Sequence, residues 1–302
     1  MDWITPQLVQ NEFITQINGI SITIKREDQL HPYISGNKFR KLHYNFDSFK
    51  TSQAAGVATF GGAYSNHLVA TAAAGKQFNL PTLGFVRGEE LVNKPLNPSL
   101  KFCANQGMEL VFLSRGDYRE KVEAPLVKTR LSENAYALLP EGGTNALAIN
   151  GCREILTAND ELFDTVAVAV GTGGTYIGLS QSCTAQQQLL GFKAVNDPKV
   201  DAWIEQQIPK GVSNTLVDDF IFGGYGKVPD QLVHFINDFY QTHQILLDPT
   251  YTGKMLFGIF TLIKNNAWRW GKKVLVIHTG GVQAIEGFNQ RQKEKNRPCI
   301  QV

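Results

Sequence analysis

The stretch AVAVGTGGTYIG, Ala167 to Gly178, decides how the rest of the chain is read. An apolar run of β type ends at Gly171. Gly171, Thr172, Gly173, Gly174 and Thr175 then present free backbone N–H groups and two hydroxyls just before a helix begins. Unpaired N–H groups and the positive end of a helix both favour a phosphate dianion. A plain strand-to-helix turn is one alternative. A dinucleotide-binding turn is another, but its G-x-G-x-x-G spacing fails because Tyr176 stands at the third glycine position, although Asp197 could serve as a ribose-binding acid.

The same strand-then-helix alternation recurs on either side. Upstream it runs GVATF with SNHLVATAAAGKQF, PTLGFV with NPSLKFCANQG, ELVFL, and YALLP with NALAINGCREILT. Downstream it runs DTVAVAVG with GGTYIGLSQSCTAQQ, LLGFKAV, HQILLD with GKMLFGIFTLIKNNA, and KVLVIHTGG. Such alternation builds parallel sheets from βα units, and two series predict an α/β protein of two doubly wound lobes. The early run ISITIKRED predicts a further strand that joins the second lobe. Boundaries near Leu42 and within residues 145–158 give a large domain of 1–42 plus 155–302 and a small one of 43–154. In such sheets ligands sit at the carboxyl ends of the strands. Four glycine-rich turns, FGGAYSNH, PEGGTNA, VGTGGTYIG and HTGG, are expected to face one cleft there.

Composition narrows the function classes. With 43% hydrophobic and 19% charged residues among 302, the chain can bury a substantial core and is neither disordered nor fibrous. A net charge of +2, with only FNQRQKEKNRP locally basic, gives no stripe for nucleic acid. Cys103, Cys152, Cys183 and Cys299 lie too far apart for a zinc knuckle or a disulfide framework, so no metal is expected. The opening MDWITPQLVQ has no apolar leader-like core, and no apolar run approaches the ~20 residues of a membrane span. A soluble, cytoplasmic protein without membrane partners is expected.

A phosphate site needs a reactive group beside it, and SGNKFRKL, Ser35 to Leu42, offers one in Lys38. Aldehyde cofactors bond covalently to a lysine amine, which must lose its proton through burial or neighbouring cations; Arg40 and Lys41 supply positive charge nearby. Read alone, NKFRK is more commonly a solvated helix start. Ser65 and Asn66 open a helix after a Gly-Gly turn, where short polar side chains reach a cleft while capping. His67 is either a proton carrier or a satisfied structural histidine. Asp28, Glu141 and Asn145 read as supporting or ordinary loop residues.

Taken in order, KRED, GNKFRKL, GGAYSNH, GTGGT, LDPTYTGKM and HTGG resemble the D-cysteine desulfhydrase and 1-aminocyclopropane-1-carboxylate deaminase family, from about Lys25 to Gly281. The resemblance implies the tryptophan-synthase-β-like fold (fold type II), a pyridoxal 5'-phosphate cofactor in the cleft between lobes, a small amino-acid substrate and a homodimer. It implies that Lys38 bonds the cofactor and that Lys41 and Gly171 to Thr175 hold its phosphate. Asn66 would meet the phenolic oxygen, Ser65 the substrate, and Tyr225 and Tyr251 would line the substrate side, with Lys38, Ser65 and Tyr251 in catalytic roles; His67, next in the same turn, is expected on the substrate side from its place in the sequence. Tyr64 stands where relatives carry glutamine, and the divergent 196–219 region bears equally on specificity.

Thr252 and Thr279 match the desulfhydrases. In the deaminases the first position is a glutamate facing the pyridine nitrogen and the second is leucine. An acid there makes the ring a strong electron sink, which cyclopropane opening needs; a neutral hydroxyl suffices for β-elimination, where a leaving thiol carries the electrons away. The expected reaction is β-elimination from D-cysteine or a related β-substituted alanine to pyruvate, ammonia and hydrogen sulfide. The deaminase, and a non-catalytic two-lobed protein that binds a small ligand, are the alternatives.

Overall fold

The computed structural model describes residues 9–302. Its strands are β1 (Asn11–Ile17), β2 (Ile20–Lys25), β3 (Gly56–Gly62), β4 (Thr82–Arg87), β5 (Met108–Leu113), β6 (Tyr136–Leu139), β7 (Thr165–Val170), β8 (Gln188–Lys193), β9 (Asn214–Val217) and β10 (Lys273–Ile277). They form a six-stranded sheet of order β1-β2-β10-β7-β8-β9 and a four-stranded sheet of order β5-β4-β3-β6. All neighbours are parallel except β1 and β2, a hairpin turned at Asn18 and Gly19, both at positive φ. The ISITIKRED strand therefore lies inside the larger sheet as expected, paired in parallel with β10.

Every residue of β7 is buried, because successive side chains enter different cores on the two faces of the sheet. Ala167 and Ala169 join Leu232, Ile236, Leu256 and Ile259 from the helices Asp230–His243 and Thr252–Lys264. Val166, Val168 and Val170 join Cys152, Ile177 and Ile204 from the helices Ala146–Arg153, Gly174–Ser180 and Pro198–Gln207. The four-stranded sheet is covered likewise. Phe60 and Phe85 pack with Tyr118 and Val127 on one face, and on the other Val57 packs with Phe39, Leu42 and Phe46 of the helix Asn37–Thr51 and with Ala70, Ala73 and Ala74 of the helix Asn66–Phe78.

Helix Ala146–Arg153 packs against Asn37–Thr51 on one side and Gly174–Ser180 on the other. The approach is close enough that a Cβ on Gly151 would stand 2.0 Å from the Arg40 carbonyl oxygen. This seam fixes the start of helix Asn37–Thr51, and so Lys38, against the turn after β7.

Two expectations need correction. HQILLD is not a strand: residues 244–248 run without sheet pairing, and the Leu246 carbonyl is met by His278 Nε2 at 2.8 Å. Ile245 and Leu247 are nonetheless fully buried, so the apolar pattern reported burial and not strand pairing. The helix after the Gly171 turn ends at Ser180, well short of the CTAQQ expected to extend it.

Candidate active site

A cavity of about 470 Å³ opens at the carboxyl ends of β3, β7 and β10, and all four glycine-rich turns contribute to its wall. Lys38, Lys41, Ser65, Asn66, His67, Gly171, Thr172, Gly173, Thr175, Tyr225, Tyr251 and Thr279 line it, which gathers residues up to 241 positions apart. Gly174 and Thr252 do not line it.

Lys38 is placed by its neighbour. Gly36 sits at φ +59, and a Cβ there would lie 2.1 Å from the Thr279 carbonyl oxygen, so only glycine lets the turn press against the HTGG loop. Burial, with Lys41 adding repulsion, lowers the Lys38 amine from its ordinary value to about 7. Arg40 takes no part, contrary to expectation. Its guanidinium is spent on Glu27 in a buried two-pronged pair, at 2.9 and 2.8 Å.

Lys41 stands beside the Gly171 turn. Its Nζ donates to Thr144 Oγ1 at 2.8 Å, the Gly142 carbonyl at 3.2 Å and Thr172 Oγ1 at 3.4 Å, and the two threonine hydroxyls are 2.6 Å apart. Among the described residues no carboxylate pairs with this buried ammonium, and burial pushes its pKa down. Asn37 Nδ2 donates to Thr175 Oγ1 at 2.8 Å and ties helix Asn37–Thr51 to the same turn.

Ser65 caps helix Asn66–Phe78, its Oγ accepting from Leu68 N at 3.3 Å, and it also lines the cavity. Thr59 spends its hydroxyl proton on the Leu139 carbonyl, so the contact of His67 Nε2 with Thr59 Oγ1, at 2.8 Å, has the ring as donor. Nδ1 is then an unprotonated acceptor. Burial, then Lys38 and Lys41, hold the ring well below its usual pKa. His67 Nδ1, Asn66 Oδ1 and Gln283 Oε1 are buried on cavity-lining residues and have no hydrogen-bond partner.

Thr252 corrects the expectation that its hydroxyl faces the cofactor ring. Its Oγ1 donates to Asp248 Oδ1 at 2.9 Å and accepts from Asp248 N at 3.0 Å. Asp248 also gathers the N–H groups of Thr250, Tyr251 and Thr252, so this pair builds the DPTYT turn. Thr279, by contrast, is in the cavity wall. Tyr225, half exposed, meets Tyr251 edge to face with ring centroids 6.0 Å apart, and burial raises the Tyr251 phenol.

A lysine amine deprotonated near neutrality, a glycine turn with an unpaired ammonium, and orphaned acceptors around the space between them suit an aldehyde-bearing phosphate ester. The match to known proteins agrees. Residues 3–280 match the model of the pyridoxal-phosphate dependent enzyme family. The chain belongs to that family. A Pyrococcus horikoshii protein named provisionally as a 1-aminocyclopropane-1-carboxylate deaminase is 30% identical over 96% of this chain and 93% of its own length. A D-cysteine desulfhydrase of Yersinia enterocolitica is 29% identical over 90% and 89%. A crystal structure of a homologue of the deaminase superposes with a TM-score of 0.83 at 25% identity, covering 96% of this chain and 94% of the other. The fold is the type II fold of pyridoxal-phosphate enzymes, and the protein is an enzyme that uses this cofactor.

Sequence reasoning missed Asn37, Thr144 and Asp248. Asn37 and Thr144 sit inside turns already singled out, but which polar atom of a turn faces the cleft is set by packing. Asp248 is marked in sequence only by its place before Pro249. Among the described residues no helix is long and apolar enough to cross a membrane, and no His, Cys, Asp or Glu cluster could hold a metal ion.

Proposed function

We propose that this enzyme catalyses β-elimination from D-cysteine or a close β-substituted alanine, consuming water and giving pyruvate, ammonia and hydrogen sulfide. The observation that carries the reading is Lys38, a cavity amine brought to about 7 and therefore able to bond a carbonyl and to take a proton at neutral pH. Lys41 and the turn Gly171 to Thr175 would hold the phosphate, and Asn66 the phenolic oxygen. Bound pyridoxal phosphate supplies the electron sink for carbanion chemistry next to an amino group.

The chain's residues supply the rest. The start of helix Asn66–Phe78, with the Ser65 hydroxyl, receives the substrate carboxylate, because a helix N-terminus offers N–H donors and a favourable dipole. Lys38 Nζ takes the α-proton. Tyr251, kept a neutral phenol by burial, donates toward the leaving sulfur, and Tyr225 closes the same side. His67, neutral, orients substrate as an acceptor.

Thr279 favours elimination over cyclopropane opening, since it lines the cavity and supplies no carboxylate. Thr252 adds only the absence of an acid at its position. The test is product analysis of the purified enzyme. D-cysteine should give hydrogen sulfide and pyruvate well above the rate for L-cysteine, with 1-aminocyclopropane-1-carboxylate unreactive; ketoacid from the cyclopropane substrate alone would overturn the assignment. We further propose that the enzyme is a cytoplasmic homodimer and that residues 1–42 with 155–302 form its large cofactor-binding domain and 43–154 its small domain. Light scattering, cell fractionation and hydrogen exchange check these.

A further inference from the structure

A second, wider groove continues from the cavity, sharing Asn66, Arg87, Asp197, Tyr225 and Tyr251 with it. Nine lysines and arginines line this groove against two acids, Glu90 and Asp197. Glu90 lies 3.5 Å from Arg115, Lys121 and Arg297 pair with Glu141 and Asp230, and Asp197 keeps its charge while it caps helix Pro198–Gln207 by accepting from Lys199 N at 3.0 Å, so the wall retains an excess of cations. The mouth of the site is therefore cationic, and a cleft of one sign attracts substrate of the other.

Arg87 is the cation common to both spaces. It ends β4, directly across from Gly62 of β3, and its guanidinium comes within 3.9 Å of where a Gly62 Cβ would be, three residues before Ser65. Glu141 lines the cavity with it. The Glu141 carboxylate is already taken by the Tyr118 hydroxyl at 2.5 Å and Lys121 Nζ at 2.7 Å. Among the described residues no acid pairs with Arg87, and its nearest aromatic partner is the Tyr118 ring at 5.8 Å. Also on the groove wall, Arg291 stacks on Tyr64 at 4.1 Å and leaves its buried Nε without an acceptor. Tyr64, the departure from the family pattern, thus holds a second guanidinium at this wall.

We propose that Arg87 is a specificity-determining residue that receives a second carboxylate, so that among the β-substituted alanines the preferred substrates are those whose β-leaving group ends in an acid. This rests on the elimination chemistry proposed above. With S-carboxymethyl-D-cysteine, the α-proton is removed and the C–S bond breaks with its electron pair leaving on sulfur as mercaptoacetate. Water then releases pyruvate and ammonia. A planar, unpaired guanidinium suits a carboxylate through two parallel hydrogen bonds.

The experiment compares isosteres that differ only in charge. For the holoenzyme, kcat/KM is measured on S-carboxymethyl-D-cysteine and its carbamoylmethyl amide, in the wild type, Arg87→Gln and Arg87→Lys. Because Arg87 is solvent-exposed, the acid should be preferred about two- to fivefold, the range of a screened charge pair. That ratio should fall toward one in Arg87→Gln, recover in part in Arg87→Lys, and shrink as salt rises. Calorimetric titration with D-glutamate against D-glutamine reads the same ratio without turnover. Equal kcat/KM for acid and amide, or a ratio unmoved by Arg87→Gln, overturns the proposal. Loss of turnover on every substrate, with the charge preference intact in the titration, overturns the elimination chemistry alone and leaves the Arg87 subsite standing.

Discussion

Replacing Lys38 with methionine should make the cofactor-free protein more stable below neutrality, by an amount that shrinks as pH rises. The methionine fills a similar volume without an ammonium. In the folded chain the amine titrates at about 7, against 10.5 in an unfolded chain. Below about 7 both states are protonated and the folded state carries the whole penalty. Between about 7 and 10.5 the unfolded state binds more protons, so wild-type stability rises with pH; above 10.5 the penalty is gone. A shift of this size corresponds to about 5 kcal/mol for a dry amine. The side chain opens onto a solvated cavity, which screens it, so about 2–3 kcal/mol should appear in unfolding. For a chain of this length that is about 3–5 °C in Tm. Thermal unfolding of both cofactor-free proteins at pH 6, 7.5 and 9.5 measures the gap. A variant less stable than wild type at pH 6, or a gap constant with pH, would refute the reasoning.

Other perturbations probe the frame around Lys38. Glu27→Ala leaves the Arg40 guanidinium buried without its partner and should cost about 3–5 kcal/mol by calorimetry, whereas breaking the exposed Lys128–Glu123 pair should cost under about 1 kcal/mol. Gly36→Ala forces a Cβ into the Thr279 carbonyl at a positive φ; a loss of about 3 kcal/mol or more is expected, with failure to retain cofactor on gel filtration. Lys254 Nζ holds the Ile221 and Gly224 carbonyls at 2.9 and 3.0 Å, so Lys254→Met should loosen the loop carrying Tyr225 and raise KM about tenfold, more than it lowers kcat. Steady-state kinetics on D-cysteine separates the two effects.

What the sequence made legible follows the length of the signal. The runs of β3, β7 and β10 are long, apolar and bounded by glycine, and each became a strand facing the cleft. HQILLD has the same composition, but strand pairing is decided by what lies alongside, and there a histidine side chain meets the Leu246 carbonyl. Residues in glycine-marked turns, Lys38, Ser65, Asn66 and Gly171 to Thr175, could be placed because such turns gather at one end of parallel sheets. Thr252 could not, since its hydroxyl is held by Asp248, four residues earlier, in a turn contact that composition does not mark. Arg87 carries no local mark; its isolation follows from Glu141 being claimed by Tyr118 and Lys121, a contact between distant segments.

The most direct test of the central claim is the near-visible absorbance of the purified enzyme before and after borohydride reduction, with peptide mapping of the modified lysine. The account predicts a yellow protein whose absorbance collapses on reduction and whose label lies on the peptide carrying Lys38. Label on Lys41 or another lysine, or a protein that stays colourless when pyridoxal phosphate is added, would contradict it.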